Sequence, residues 1–424
     1  MRLLVLLLFV TFHCVLQAQN TKTYILKIGK FYDSEKNVFL KNQEILVKGN
    51  KIIKVGSSVG KVDSAEVINL PNCSVSPGLI DAHTHVLYIQ KSGDPLEVDV
   101  LMNSDIERSL RAVKLARTWL EAGYTTIRDM GNSGMYLDVN MQRAVRKGWI
   151  VAPRMIVSGP ILAPEDGQFF NLSDQNRHMI EREYTVVRSP ESAVQAVKDH
   201  ISHGIDVIKV VMGDGLLTLT LEDVKAIVET AHKYGVKVTA HATYNQVIAR
   251  AIDAGVDGIE HGYDISDSLL DVLVKKNIYL VPTIGTYEEY RELFDVDHKL
   301  GEEELKGLRQ FVTASQGIVK RAFEKGVTVV NGSDMYLFTK RPQGEAAKNS
   351  IESYYVASGK ANEVLKTATI NAAKACGVGQ ITGILKENMM ADLVIFDGDI
   401  EKDFVKTLFK VKLVMKEGEI VFRK

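Results

Sequence analysis

Eight short apolar runs, with helical patterns between many of them, constrain this chain more than anything else in it. They are "SVSPGLIDAHTH", "TTIRDMG", "PRMIVSG", "DVIKVV", "VKVTAHA", "DGIEHG", "IYLVPT" and "VTVVNGSD". Near-continuous apolar runs of this length suit parallel strands covered on both faces. The segments between them carry helix punctuation. "SDIERSLRAVKLARTWLEAG" opens with Ser104 and Glu107 as a capping box, repeats Ile106, Leu110 and Val113 on one face, and closes at Gly123. "SPESAVQAVKDHISHG" sets Ser189 at the cap, Pro190 at the first helical position and Gly204 past the end. "TLEDVKAIVETAHKYG" follows the same plan from Thr220 to Gly235. Eight strand–helix repeats in roughly 300 residues predict an α/β fold of the (β/α)8 TIM-like kind, with a doubly wound sheet as the competitor.

The two ends read differently. Up to residue 76 the pattern is short alternating strands, with Gly49-Asn50 as a turn signal, and "ADLVIFDGD" and "VKLVMKEGEIVFRK" repeat that character near the C-terminus. A small β-sandwich domain built from both termini is expected, with parts at 19–76 and 386–424 around a barrel at 77–385. A chain of 424 residues is too long for one small core, which suits that division. The opening "MRLLVLLLFVTFHCVLQAQN" has one basic residue, an apolar run and the small residue Ala18, the form of a signal peptide over 1–18. The run is short for a membrane span, so a protein exported to the periplasm or beyond, with no stable membrane insertion after cleavage, is expected. Cys73 and Cys376 then remain, too few for a disulfide framework, although export permits one bond between them. Lys+Arg number 52 against 53 Asp+Glu, so nothing in the charge points to nucleic acid.

Barrel chemistry sits at the carboxyl ends of the strands. Of the ten histidines, His83, His85, His241 and His261 fall there, and Asp334 ends the eighth run. The imidazoles of "HTH" stand two residues apart on an extended strand and project to the same side. Neutral imidazole is a good ligand for zinc and similar metals. A lone His-x-His is a weak sign, and two further strand-end histidines with a strand-end aspartate make it a strong one. His200, His203 and His232 lie near helix ends, where solvated or capping roles are expected. Lys209 interrupts the fourth run, and a lysine is almost never fully buried without a partner.

With these residues in view, the chain resembles the metal-dependent amidohydrolase superfamily, in its imidazolonepropionase-like and Xaa-Pro dipeptidase-like branch. The match is carried by "SPGLIDAHTH", "YTTIRDMG", "DVIKVV", "VTAHA", "AGVDGIEHG", "VVNGSD", "TINAAKACGV" and "ADLVIFDGD". The resemblance implies that His83, His85 and Asp334 hold the more buried of two divalent metal ions and that His241 and His261 hold the second. It implies that Lys209 is carboxylated by CO2 and bridges them. A lysine desolvated beside cations disfavours its ammonium form, so the neutral amine this needs is accessible. A hydroxide between the metals is then the nucleophile, and Asp334 is the catalytic proton acceptor and donor. Zinc is the expected metal, with manganese, cobalt or iron open on ligand type alone.

The loops depart from that branch. "GPILAPEDGQFFNLSDQNRHMIEREYTVV" replaces a Gly-Gly-His stretch and "MGDG" replaces Thr-Gly-Gly, adding Glu165, Asp166 and Asp214 near the expected mouth. These could read a basic group or amine. Tyr244, three residues past His241, and Arg341, in "MYLFTKRPQG", are the expected contacts for a substrate carboxylate. The expectation is a secreted hydrolase of a C–N amide bond in a dipeptide or N-acyl amino acid, working on a small-molecule or short-peptide substrate; a homo-oligomer is compatible with it. The alternatives are a mononuclear cyclic-amide hydrolase or deaminase, a lactonase or organophosphate esterase, and a non-catalytic scaffold.

Overall fold

The computed structural model describes residues 22–169, 172–213, 217–295 and 300–424. The expected signal peptide and Asp214 lie outside them. The N-terminal strands are β1 (Thr23–Asp33), β2 (Val38–Lys48), β3 (Lys51–Gly56) and β4 (Glu66–Pro77). The middle contributes β5 (Leu79–Thr84), β6 (Tyr124–Asp129), β7 (Arg154–Val157), β8 (Ile161–Ala163), β9 (Tyr184–Val186), β10 (Val207–Val211), β11 (Lys237–Ala242), β12 (Gly258–His261) and β13 (Tyr279–Val281). The C-terminal strands are β14 (Leu393–Asp397), β15 (Val411–Lys416) and β16 (Glu419–Arg423).

Both termini do enter one sheet, in the order β16-β15-β14-β4-β1-β2-β3. The expected two-layer sandwich is not what the ladders form. β4 pairs parallel with β1 on one side and antiparallel with β14 on the other, which splices the two ends into a single seven-stranded sheet. Leu26, Ile45, Val75, Leu393 and Leu413 are buried together in its core. Cys73 packs there, Cys376 is buried elsewhere, and both are free thiols.

The middle strands pair in parallel as two arcs, β5-β6-β7 and β13-β12-β11-β10-β8-β9. These ladders do not make a closed ring of eight. The eighth apolar run, 327–334, is not a regular strand: Asp334 takes φ 54° and the run touches its neighbours through isolated bonds. Val330 N donates to Leu280 O, Ala82 N to Asn331 O and Asp334 N to His83 O, so the segment still lies between β13 and β5. β10 is buried at every position, Lys209 included.

Local signals held at the helix starts. Ser104 and Glu107 form their reciprocal capping box, and Ser189 caps a helix whose first residue is Pro190. The packed face of the first helix differs from expectation. Ile106 and Leu110 are exposed, while Arg108, Ala112, Ala116 and Trp119 are buried. Arg108 lies on this packed face with its guanidinium paired to buried Glu183, the pairing a buried charge requires. His200 is likewise buried, with Nε2 2.8 Å from Pro160 O, instead of solvated.

Candidate metal centre

The carboxyl ends of β5, β10, β11 and β12, with the irregular segment that ends at Asp334, bring His83, His85, Lys209, His241, His261 and Asp334 to one small cavity. Asp334 Oδ1 lies 3.1 Å from His85 Nε2 and 3.5 Å from His83 Nε2, and its Oδ2 is 3.8 Å from His261 Nδ1. Lys209 Nζ is 3.4 Å from His83 Nε2. The His241 and His261 rings stand 4.4 Å apart between centroids. Ligand atoms of His83, His261 and Asp334 all fall within 4.8 Å of one another.

Backbone strain concentrates here. His261 (φ 73°), Thr283 (φ 50°) and Asp334 (φ 54°) all sit in the left-handed region, where a β-branched residue such as threonine is rare. Such conformations persist only where the surroundings enforce them, and they cluster at functional sites. At His261 the turn breaks strand alternation, so Glu260 and His261 can both serve the site.

Three of the imidazoles are held from behind. His83 Nδ1 meets Glu260 Oε2 at 2.7 Å, His85 Nδ1 meets Gly131 O at 2.8 Å, and His261 Nδ1 meets Thr283 Oγ1 at 2.7 Å. Carboxylate or carbonyl partners of this kind orient a metal-binding imidazole and fix its tautomer. Glu260 is itself clamped, with Arg128 Nη2 at 2.8 Å and Thr239 Oγ1 at 2.5 Å on Oε1. Burial raises the Glu260 pKa, but Arg128 and then His83 outweigh it and hold the carboxyl down at about 2. Asp81 braces the other flank. It accepts from Trp119 Nε1, from the amide of His83, and from the amide and hydroxyl of Ser333, which ties β5 to the turn carrying Asp334.

Protonation states suit a cation. Burial and then the Lys209 charge push His83 down to about 4, while burial and neighbouring His241 drive His261 well below the ordinary histidine value. Burial also opposes charge on His85, but Asp334 raises it overall. Burial lifts Asp334 too, yet His83 and His85 leave its carboxyl below the usual range. Two neutral imidazoles beside an ionised carboxylate are a donor set that zinc, manganese, cobalt or iron accepts, so the residues fit a divalent metal.

The other expected contacts fall outside this lining. Tyr244 is the half-buried cap residue of the helix Asn245–Ala254, packed against the main core. Arg341 pairs with Glu292 at 3.3 Å. Glu165 and Asp166 pair with Arg188 and Arg177 at the surface, so they do not offer free carboxylates to an amine. Glu260, Arg128 and Asp81 were missed in the sequence, although a charge inside an apolar strand run, the signal that picks out Lys209, marks all three.

Fold and site together define an α/β protein with a candidate metal centre at its strand ends. The chain matches the amidohydrolase family over residues 74–421 and belongs to that family. An uncharacterized protein of Mycobacterium tuberculosis is 27% identical over 265 residues, which are 61% of this chain and 64% of the relative. The chain therefore spans less than two thirds of that relative's length. Ochratoxinase of Aspergillus niger is 24% identical over 348 residues, 76% of this chain and 69% of the enzyme. A Xaa-Pro dipeptidase crystallised with methionine in its active site superposes with TM-score 0.81 at 24% identity, over 95% of this chain and 100% of the other. At that identity the likeness is one of fold.

Proposed function

We propose that this protein is an exported, metal-dependent hydrolase of a C–N amide bond in a small peptide or N-acylated amino acid. The observation that carries the reading is the convergence of four histidines, Asp334 and buried Lys209 on one cavity. In this reading His83, His85 and Asp334 would hold one zinc ion, His241 and His261 would hold a second, and Lys209 would be carboxylated and serve both. When bound, the metals lower the pKa of water and polarise the scissile carbonyl. Glu260 and Gly131 O keep the Nε2 atoms of His83 and His85 turned to the cavity. Asp334, whose carboxylate lines the cavity 3.1 Å from His85 Nε2, would take a proton from the attacking water and return it to the leaving nitrogen. Tyr244 and Arg341 are proposed to meet a substrate carboxylate, Arg341 by leaving Glu292. We infer a small domain with parts at 19–76 and 386–424 beside a barrel-like unit at 77–385.

Metal analysis of the purified chain with a panel of dipeptides and N-acyl amino acids tests the reading. Two metals per chain and amide turnover that a chelator abolishes are expected. A chain that binds no divalent metal, or a loaded one that cleaves esters and lactones but no amide, refutes it.

A further inference from the structure

The part of the cavity wall not committed to the metal centre carries no charge among the described residues. It consists of Tyr88, Leu96, Asn132, Ile161, Gln168 and Tyr336. Tyr88 gives its hydroxyl to Leu96 O. Besides the Tyr336 phenol, two carboxamides, Asn132 and Gln168, line the space beside the metal centre, and each carries both a donor and an acceptor.

Both are organised by one buried phenol. Asn132 Nδ2 donates to Tyr184 OH at 3.0 Å, and Tyr184 OH donates to Gln168 Oε1 at 3.5 Å. Tyr184 itself is fixed, with Phe169 edge-on at 5.2 Å and Gly167 packed so closely that a Cβ there would lie 2.7 Å from the ring. The backbone of Asn132 is fixed as well. At φ 49° it sits where asparagine is tolerated, and its carbonyl accepts from Arg108 Nη2, the guanidinium that also pairs with Glu183. One buried ion pair thus holds the turn carrying Asn132 against the strand carrying Tyr184.

A phenol has one proton. When it donates to one carboxamide and accepts from the other, the first keeps an N–H free and the second keeps a C=O free. Swapping the two amide orientations exchanges which residue offers which atom, and still leaves one donor and one acceptor. Among the described residues neither Asn132 Oδ1 nor Gln168 Nε2 has a hydrogen-bond partner. The complement of such a pair is a neutral group with an N–H and a C=O on one edge, as a single extended residue presents to a neighbouring strand. A free ammonium gives donors alone and meets no compensating charge among the described residues of this wall.

We propose that Asn132 and Gln168, positioned by Tyr184, form an amide-recognition subsite that selects substrates whose acyl-side residue is itself N-acylated. The proposal rests on the amide-hydrolase reading above and narrows its substrate class. Leu96 and Ile161 beside the two carboxamides suit an apolar side chain on that residue.

The test compares N-acetyl-Leu-Pro, free Leu-Pro and 4-methylpentanoyl-Pro, which lacks the second amide, on the metal-reconstituted full-length protein. Two hydrogen bonds at ordinary net strength predict that the acetylated peptide leads both others in kcat/KM by about tenfold or more. Gln168→Met and Tyr184→Phe should each bring the ratio of acetylated to 4-methylpentanoyl substrate toward one. A ratio near one in the wild type, a preference for free Leu-Pro, or an unchanged ratio in both variants overturns the proposal. Hydrolysis of none of the three counts against the amide-hydrolase reading alone. Binding of N-acetyl-L-leucinamide against L-leucinamide, followed by NMR on the same protein, then decides. Tighter binding of the acetylated amide that Gln168→Met abolishes upholds the subsite, and equal binding or none overturns it.

Discussion

Glu260→Gln is the substitution that most directly probes how the centre is built. The carboxylate divides its oxygens, Oε2 to His83 Nδ1 and Oε1 to both Arg128 and Thr239. Glutamine keeps the shape but turns one oxygen into an NH2. If that NH2 faces His83, Nδ1 must become an acceptor and the ring proton moves to Nε2, the atom turned to Asp334. If it faces Arg128, donors oppose donors and the guanidinium loses its carboxylate in a fully buried place. Breaking a buried ion pair in this way costs about 3–5 kcal/mol. For a chain of this size that is a fall in Tm of roughly 3–6 °C. Loss of the carboxylate behind a ligating histidine lowers metal affinity by about 10- to 100-fold. Denaturant unfolding of the metal-free protein reads the first effect and metal titration the second. The double variant Arg128→Met/Glu260→Gln separates them, because it removes the stranded charge without returning a carboxylate to His83. It should regain more than half of the lost stability and none of the metal affinity. If Glu260→Gln stays within about 1 kcal/mol of wild type and binds metal as tightly, Glu260 does not anchor the site.

Three further outcomes follow from the same structure. Lys209→Ala should lose activity and at least one metal by elemental analysis, with partial rescue by short carboxylic acids; Lys209→Arg should fail because guanidinium stays protonated, and full metal content with normal turnover in either variant refutes the bridging role. Asp334→Asn should lower kcat by at least ~10²-fold with a smaller change in KM, on samples whose metal content is measured in parallel. Lys348 is fully buried, with Nζ 2.8 Å from Leu408 O, and burial lowers its pKa from 10.5 to about 7. The unfolded chain therefore binds the extra proton between pH 7 and 10.5, so this group makes stability rise with pH across that window, and its full penalty is present below pH 7. Lys348→Met should flatten that rise in urea titrations; an unchanged slope refutes the assignment.

What could be read in the sequence was local or strictly periodic. Ser104, Ser189 and Thr220 announced their helices because a cap needs only three or four consecutive residues. The strand-end histidines were readable because a parallel strand puts its chemistry at a fixed end, and Asp334 because its apolar run ends beside them, although that run forms no regular strand. Pairings across long separations were not. Arg108 meets Glu183 75 positions away, and nothing near Arg108 marks it as a core residue in place of Ile106 or Leu110. The seven-stranded sheet escaped notice for the same reason: β4 joins β1 to β14, and neither partner is visible from β4 itself. Glu260 and Arg128 stand between these cases. Each is a charge inside an apolar strand run, so each by itself poses the question that Lys209 poses. Neither run says that the two charges answer one another across 132 positions. A buried charge in a strand is thus a local signal with a non-local solution. Here three of them, Lys209, Glu260 and Arg128, lie in or directly beneath the same centre, so the strongest sign of its position was the set of residues that fit their strands worst.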